Sequence, residues 1–223
     1  MGKNYLAHIA ELSKGKNALW KDDAASRGEP VLFIKPTTSY IKEGSPIQIP
    51  RGAGEVHHEI ELGVIIGATA RHISEGDAMA CVAGFCLAID LTARDVQLKA
   101  KERGEPWMVS KSYETFCPVS NFIPAADVEN HADLELWLSV NNEERQRGNT
   151  GSMIHSVPKL IAFISSVMTL EAGDCIVTGT PEGVGPLEVG DKVAGGLHIA
   201  RNGRKIAGFE FDCVCSSYRS DCS

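Results

Sequence analysis

The segment His57–Ile66, HHEIELGVII, sets the strongest constraint on what this chain can fold into. Its aliphatic positions favour a strand entering a core, because such side chains fit a pleated, half-buried surface. Side chains on a strand alternate between faces, so Glu59 and Glu61 share one face while Ile60, Leu62 and Val64 share the other. Two like charges on one face repel. The pair is tolerable either where water screens it on an exposed face, or beside a cation that turns repulsion into attraction.

A third acid is placed by a change of period. GFCLAIDLTARDVQLKAKERGEP reads as an apolar strand to about Asp90, then as a capping box from Thr92 to Asp95 that opens a helix ending at Gly104. Asp90 is thus predicted at a strand end between apolar neighbours. Glu59, Glu61 and Asp90 together form a set of hard oxygen ligands. With no Cys/His ligand pattern, Mg²⁺ or Mn²⁺ is favoured over zinc, and three protein ligands leave roughly half an octahedron open for water and substrate. Ordinary solvated acids on a half-exposed sheet remain the alternative. His57 and His58 read as supporting or surface groups rather than ligands.

Elsewhere, residues 4–12 read as a short helix with Asn4 as its N-cap and Leu6, Ile9 and Ala10 as its apolar stripe. His8 and Glu11 fall three apart, on one face. A polar stretch from Ser13 to Pro30 reads as a mobile loop, and VLFIKP and PIQIP as short strands bounded by proline. LELWLSVNNEERQ alternates Leu134, Leu136, Leu138 and Val140 and turns at Asn141–Asn142, a hairpin signal. From about Ser156 a helix with Pro158 in its first turn puts Leu160, Ile161, Ile164, Val167 and Met168 on one side. A last hairpin turns around Asn202–Gly203. No repeat or linker justifies a domain cut, so residues 1–223 are predicted to form one mixed α/β domain, mostly β, with peripheral helices.

Composition removes whole classes of function. The net charge of −7, without a Lys/Arg cluster, argues against nucleic acid and anionic membranes as partners. The longest apolar runs, around 79–89 and 160–168, are too short or interrupted to span a bilayer. The start carries neither the apolar core of a secretory signal nor a transit peptide's acid-poor composition. Seven scattered cysteines without a CxxC pair fit a reducing, intracellular setting, and most read as small buried hydrophobes. GxGxxG, GxxxxGK[ST], GxSxG and HExxH are all missing, which removes nucleotide-binding, serine-hydrolase and zinc-protease readings.

Four motifs in order, HHEIELGVIIG, DLTARDVQ, SKSYETFCPVS and TGTPEGVG, resemble the fumarylacetoacetate hydrolase family, with the likeness running from Asn4 to about Phe211. Within it the chain is most similar to members that hydrolyse acylpyruvates and decarboxylate oxaloacetate. The resemblance implies a mixed β-sandwich roll, a homodimer, and Mg²⁺ or Mn²⁺ held by Glu59, Glu61 and Asp90. It implies a His8–Glu11 pair on a lid helix within residues 1–12, a catalytic Lys111, and Arg94, Gln97 and Thr180 contacting a small 2-oxo acid substrate. Isomerase or hydratase chemistry on 2-oxo-dienoates, or a catalytically silent metal-binding protein, are the alternatives. Family members usually carry a strand and a glycine before the motif seen here as KNYLAH, and a shorter loop than the one over 13–29.

Overall fold

The computed structural model describes residue 2 and residues 4–14 and 28–217. It is mixed α/β with strands in the majority, as expected. One five-stranded sheet runs in the order 143–149, 134–140, 192–199, 205–215, 47–49. A four-stranded sheet runs 175–177, 60–66, 82–89, 123–124. Both are antiparallel apart from the parallel pairing of 47–49 with 205–215. They sandwich the core: Ile60 Cδ1 of the second sheet lies 3.4 Å from where a Cβ on Gly195 of the first would sit. Leu136, Leu138, Phe209 and Phe211 join Leu62, Val64, Leu87 and Ile89 in one buried cluster. A three-stranded sheet, in the order 185–187, 56–58, 92–93, leads the chain into this sandwich.

Local chemistry sets the punctuation. The first hairpin turns at Asn141 and Asn142, at φ 52° and 66°, the two left-handed residues of a type I′ turn whose twist matches that of the flanking strands. The helix Val157–Val167 starts where the Ser156 side chain accepts the Lys159 N–H, with Pro158 in its first turn. The helix Arg94–Arg103 stops at Gly104, which at φ 67° closes it with N–H bonds to Ala100 and Lys101 carbonyls.

Several local expectations give way to longer-range contacts. The 56–66 segment is two strands, Val56–His58 and Ile60–Ile66, broken at Glu59. Both its faces are buried, which rules out the solvated-face reading of Glu59 and Glu61. The capping box at Thr92 does not form: Ala93 occupies the cap position, and Thr92 Oγ1 donates to the Asp90 carbonyl instead. Asn4 does not cap the N-terminal helix, which spans Leu6–Lys14 rather than 4–12, with the Tyr5 carbonyl accepting the Ile9 N–H. VLFIKP makes no strand beyond a single bridge of Val31 to Gly2. Val167 and Met168 are 60% and 41% exposed, off the buried side of their helix. Of the expected 13–30 loop, Ser13 and Lys14 belong to the helix, and residues 15–27 lie outside the described residues. The six cysteines among the described residues are free thiols.

Candidate active site

Sheet register brings the acids together. Ile60 pairs with Ile89 across neighbouring antiparallel strands, so Glu59, just before one strand, faces Asp90, just after the other. The Asp90 N–H donates to the Glu59 carbonyl at 2.8 Å and fixes this opposition. Glu61 follows two residues on, on the same side. One carboxylate oxygen from each of Glu59, Glu61 and Asp90 lies within 4.8 Å of the others, and all three residues are buried.

Three cations stand against these three acids. Lys111 Nζ donates to Glu59 Oε2 at 3.0 Å, to Asp90 Oδ2 at 2.6 Å and to Thr92 Oγ1 at 2.6 Å. Arg94, at the start of its helix, donates to Glu59 Oε1 at 2.7 Å and to Gln97 Oε1 at 2.8 Å. Lys35 donates to Asp90 Oδ1 at 2.7 Å, with the Leu91 and Lys111 carbonyls at 3.0 and 2.6 Å holding its ammonium in place. Burial works against the charges of Glu59 and Lys111, and the pairing outweighs it. Lys111 and Arg94 hold the Glu59 carboxyl well below the usual carboxylate range, and Asp90 and Glu59 keep Lys111 above its ordinary value.

Glu61 is different. It accepts the Gly179 N–H at 2.6 Å through Oε2, while its buried Oε1 has no hydrogen-bond partner among the described residues. Burial first, then the charges of Asp90 and Glu59, push its carboxyl up to about 8. An orphaned buried carboxylate oxygen beside two further acids fits a hard divalent cation, whose charge reverses both causes of that shift.

The remaining expected residues gather around this centre. Asn4 is an anchor: its Nδ2 donates to the His155 and Thr178 carbonyls at 3.0 and 2.7 Å, and its Oδ1 accepts the His155 N–H at 2.7 Å. This seats the N-terminal helix against the 178–183 loop. Gly179, at φ +97°, must be glycine there, because a Cβ would come within 2.6 Å of Asn4 Cβ. On the helix, His8 is buried with Nδ1 3.4 Å from Glu11 Oε2, and the Gly183 N–H lies 3.2 Å from both Glu11 oxygens. Against the burial that opposes it, those bonds draw the Glu11 carboxyl below its usual range. Thr180, also buried, accepts a hydrogen bond from Gln146 Nε2 at 2.8 Å. Lys111, Arg94 and Gln97 thus join Glu59 and Asp90 through hydrogen bonds, while His8, Glu11 and Thr180 sit along the 178–183 loop whose Gly179 N–H binds Glu61.

Two contributors escaped the sequence. Lys35 follows an apolar run and looks like the polar end of a strand; only the fold carries its ammonium to Asp90. Gln146 is the one buried residue of the exposed-looking strand segment EERQR, turned inward by a register irregularity between Glu144 and Gln146 that strand alternation cannot anticipate.

Comparison with known proteins extends this picture. A family model described as fumarylacetoacetate (FAA) hydrolase C-terminal matches residues 1–206. The chain is 46% identical over 198 residues to a Bos taurus protein named oxaloacetate tautomerase, mitochondrial, covering 89% of this chain and 85% of that one. It is likewise 46% identical over 198 residues to a Dictyostelium discoideum protein named oxaloacetate decarboxylase, mitochondrial, covering 88% and 86%. A crystal structure of a yeast fumarylacetoacetate hydrolase family protein superposes with a TM-score of 0.85 at 33% identity, covering 100% of this chain and 94% of that one.

Proposed function

The chain belongs to the fumarylacetoacetate hydrolase family, and from that membership we propose that it is a divalent-metal-dependent enzyme of small 2-oxo acids, with oxaloacetate as a substrate. The observation that carries this reading is the unpartnered Glu61 oxygen beside Glu59 and Asp90, deep among matched cations. Those three acids would hold Mg²⁺ or Mn²⁺. The ion would supply Lewis acidity toward an adjacent 2-oxo group and carboxylate.

The chain's own groups do the rest. Lys111 and Arg94 place fixed positive charge where an enolate oxygen would develop, so the charge of the transition state meets preorganised partners. Gln97 orients Arg94, and Thr180 offers a hydroxyl from the opposite loop. With Nδ1 turned to Glu11, His8 presents Nε2 as the base. In tautomerisation it takes the C3 proton of the keto form and delivers it to the C2 oxygen, or carries the proton the opposite way from enol to keto. In decarboxylation CO₂ leaves C3, the bonding electron pair passes into the enolate of pyruvate and C3 then takes up a proton, so no base is required to start the reaction. The names of the relatives support these two reactions. Hydrolysis of acylpyruvates to pyruvate and a carboxylate is the second reading, favoured by the His8–Glu11 pair, which can take a proton from attacking water.

The described residues also leave open an apolar groove of about 1030 Å³, walled by Val31, Phe33, Tyr40, Trp107, Phe122 and Met168. A patch of this kind is ordinarily covered by association, and a second copy of the chain, forming a homodimer, is the occupant proposed here. No helix among the described residues is long and apolar enough to cross a membrane.

The test is spectrophotometric. Loss of enol-oxaloacetate absorbance and release of pyruvate are followed with EDTA, with Mg²⁺ and with Mn²⁺, alongside acylpyruvates and 2-oxo-dienoates. Metal-dependent acceleration on oxaloacetate is expected. No turnover on any of these with metal present would leave a silent metal-binding protein and overturn the proposal.

A further inference from the structure

We infer that Gln146 is a positioning residue that commits the Thr180 hydroxyl to donate its hydrogen into the oxo-acid site, so that this position selects a ligand oxygen able only to accept. The inference rests on the functional reading above and deepens it.

Both ends of the Gln146 amide are fixed by groups whose polarity cannot change. Its Oε1 accepts the backbone Ile60 N–H at 3.1 Å, and its Nε2 donates to the Pro181 carbonyl at 2.9 Å. A backbone N–H only donates and a carbonyl only accepts, so the amide cannot be flipped end for end. Two consequences follow from the same orientation. The His58 nitrogen at 2.8 Å from Oε1, Nδ1, carries the proton. At the other end, Nε2 donates to Thr180 Oγ1 at 2.8 Å, which makes that oxygen an acceptor toward the protein.

The hydrogen of the Thr180 hydroxyl has no acceptor among the described residues, although Thr180 is buried. A buried donor without a partner is costly, and a ligand oxygen removes the cost. Thr180 stands one residue beyond Gly179, whose N–H is bound to Glu61, so that donor borders the three-acid centre. Ile60, at the far end of the amide, lies between Glu59 and Glu61. One side chain therefore clamps the acid-bearing strand and the 180–183 loop in a single register. The close approach is built into the backbone: a Cβ on Gly148 would lie 2.5 Å from Pro181 Cβ, and one on Gly183 would lie 1.9 Å from the Arg145 carbonyl.

The polarity can be reversed with little change of shape. In Gln146→Glu a carboxylate oxygen faces Thr180, which then turns its hydrogen toward Glu and away from the ligand. Thr180→Val removes the hydroxyl, and Thr180→Ser keeps it. Steady-state kinetics on oxaloacetate with Mg²⁺, and calorimetric binding of oxalate, whose oxygens only accept, are measured on each variant. Gln146→Glu and Thr180→Val should each raise KM and the oxalate Kd by about tenfold, the effect of one hydrogen bond, with kcat changing by less. The double variant should be no weaker than the worse single one, since both remove the same donor. Thr180→Ser should recover most of what Thr180→Val loses.

Multiplying losses in the double variant, an unchanged oxalate Kd in Thr180→Val, or a Thr180→Ser no better than Thr180→Val each overturn the inference. The two threonine variants decide it if Gln146→Glu does not fold. Should the wild type bind oxalate but turn over no oxo acid, the functional reading falls while the oxalate series still judges the Thr180 donor. A wild type that binds no oxalate with Mg²⁺ present overturns both.

Discussion

At the scale of single residues, Glu61 carries the clearest sign of an incomplete charge balance. Without a cation its burial and two acidic neighbours destabilise the ionised form, whereas Glu59 and Asp90 are each bound by lysine or arginine. Glu61→Gln removes that repulsion along with a ligand. The metal-free variant should melt roughly 3 to 6 °C above the metal-free wild type, as expected for about 1–2 kcal/mol in a chain of this length, and should gain nothing from Mg²⁺. Melting scans with EDTA and with Mg²⁺ check this, and a variant still stabilised by Mg²⁺ would refute the ligand role. His58 gives a second residue-level expectation. Burial pushes its imidazole down to about 4, against about 6.5 in the unfolded chain. Between these values the unfolded chain holds a proton that the folded chain refuses, so stability is full above about pH 6.5 and falls as acid brings the pH toward 4. Urea unfolding across that window should lose on the order of 3 kcal/mol from this group, and His58→Gln should flatten the slope by about one proton. The three acids were legible in the sequence because strand alternation and a strand end place them by local rules. Lys35 and Gln146 were not, because nothing local distinguishes them from surface residues.

At the scale of elements, the two helix caps misread in the sequence share one cause. Asn4 and Thr92 both have the side chain of a helix cap, and a cap needs only its own next three residues. Each instead spends its hydrogen bonds elsewhere, Asn4 on residues 155 and 178, Thr92 on Asp90 and Lys111. Long-range partners in a buried site outcompete a local bond worth about 1 kcal/mol. The hairpins, the Ser156 start and the Gly104 stop were readable because their determinants are neighbours in the chain. Asn4 has a further consequence, since it is the latch by which the helix bearing His8 and Glu11 meets the 178–183 loop. Asn4→Ala leaves the sheet register that opposes Glu59 and Asp90 untouched. It should therefore cost about 2–3 kcal/mol of stability and lower kcat at least tenfold, while Mg²⁺ affinity stays within about twofold of wild type. Calorimetric Mg²⁺ titration beside turnover separates the two, and a parallel loss of metal affinity would show that the latch also shapes the acid cluster. In the same spirit His8→Ala should suppress acylpyruvate hydrolysis and tautomerisation far more than decarboxylation, and equal losses in all three assays would count against His8 as the base.

At the scale of the whole molecule, the predominance of strands was foreseeable from alternation and glycine turns and the sandwich from the family resemblance, whereas the groove was visible only as a mismatch. The apolar stripe of the helix Val157–Val167 continues to Met168 in the sequence, yet the chain buries only Val157, Leu160, Ile161 and Ile164 and leaves Val167 and Met168 at the surface. Ile34, Met108 and Phe122 are exposed in the same way, and Ile34, Met108, Phe122 and Met168 all line the groove. Apolar patterning that a single chain does not use is what an obligate interface looks like before its partner arrives, since such interfaces resemble a domain core cut in half. The groove wall also includes Lys35, whose ammonium holds Asp90, on a 31–36 segment that has no strand pairing of its own beyond Val31. Covering the groove would brace that segment against the site. Sedimentation should thus show a dimer for the wild type and a monomer for Met168→Glu, because burying an unpaired carboxylate at the centre of an apolar interface costs several kcal/mol. If Lys35 depends on that bracing, the monomeric variant should also lose turnover while keeping its fold by circular dichroism. A wild type that sediments as a monomer at micromolar concentration, or a Met168→Glu variant that stays dimeric, would place the partner elsewhere.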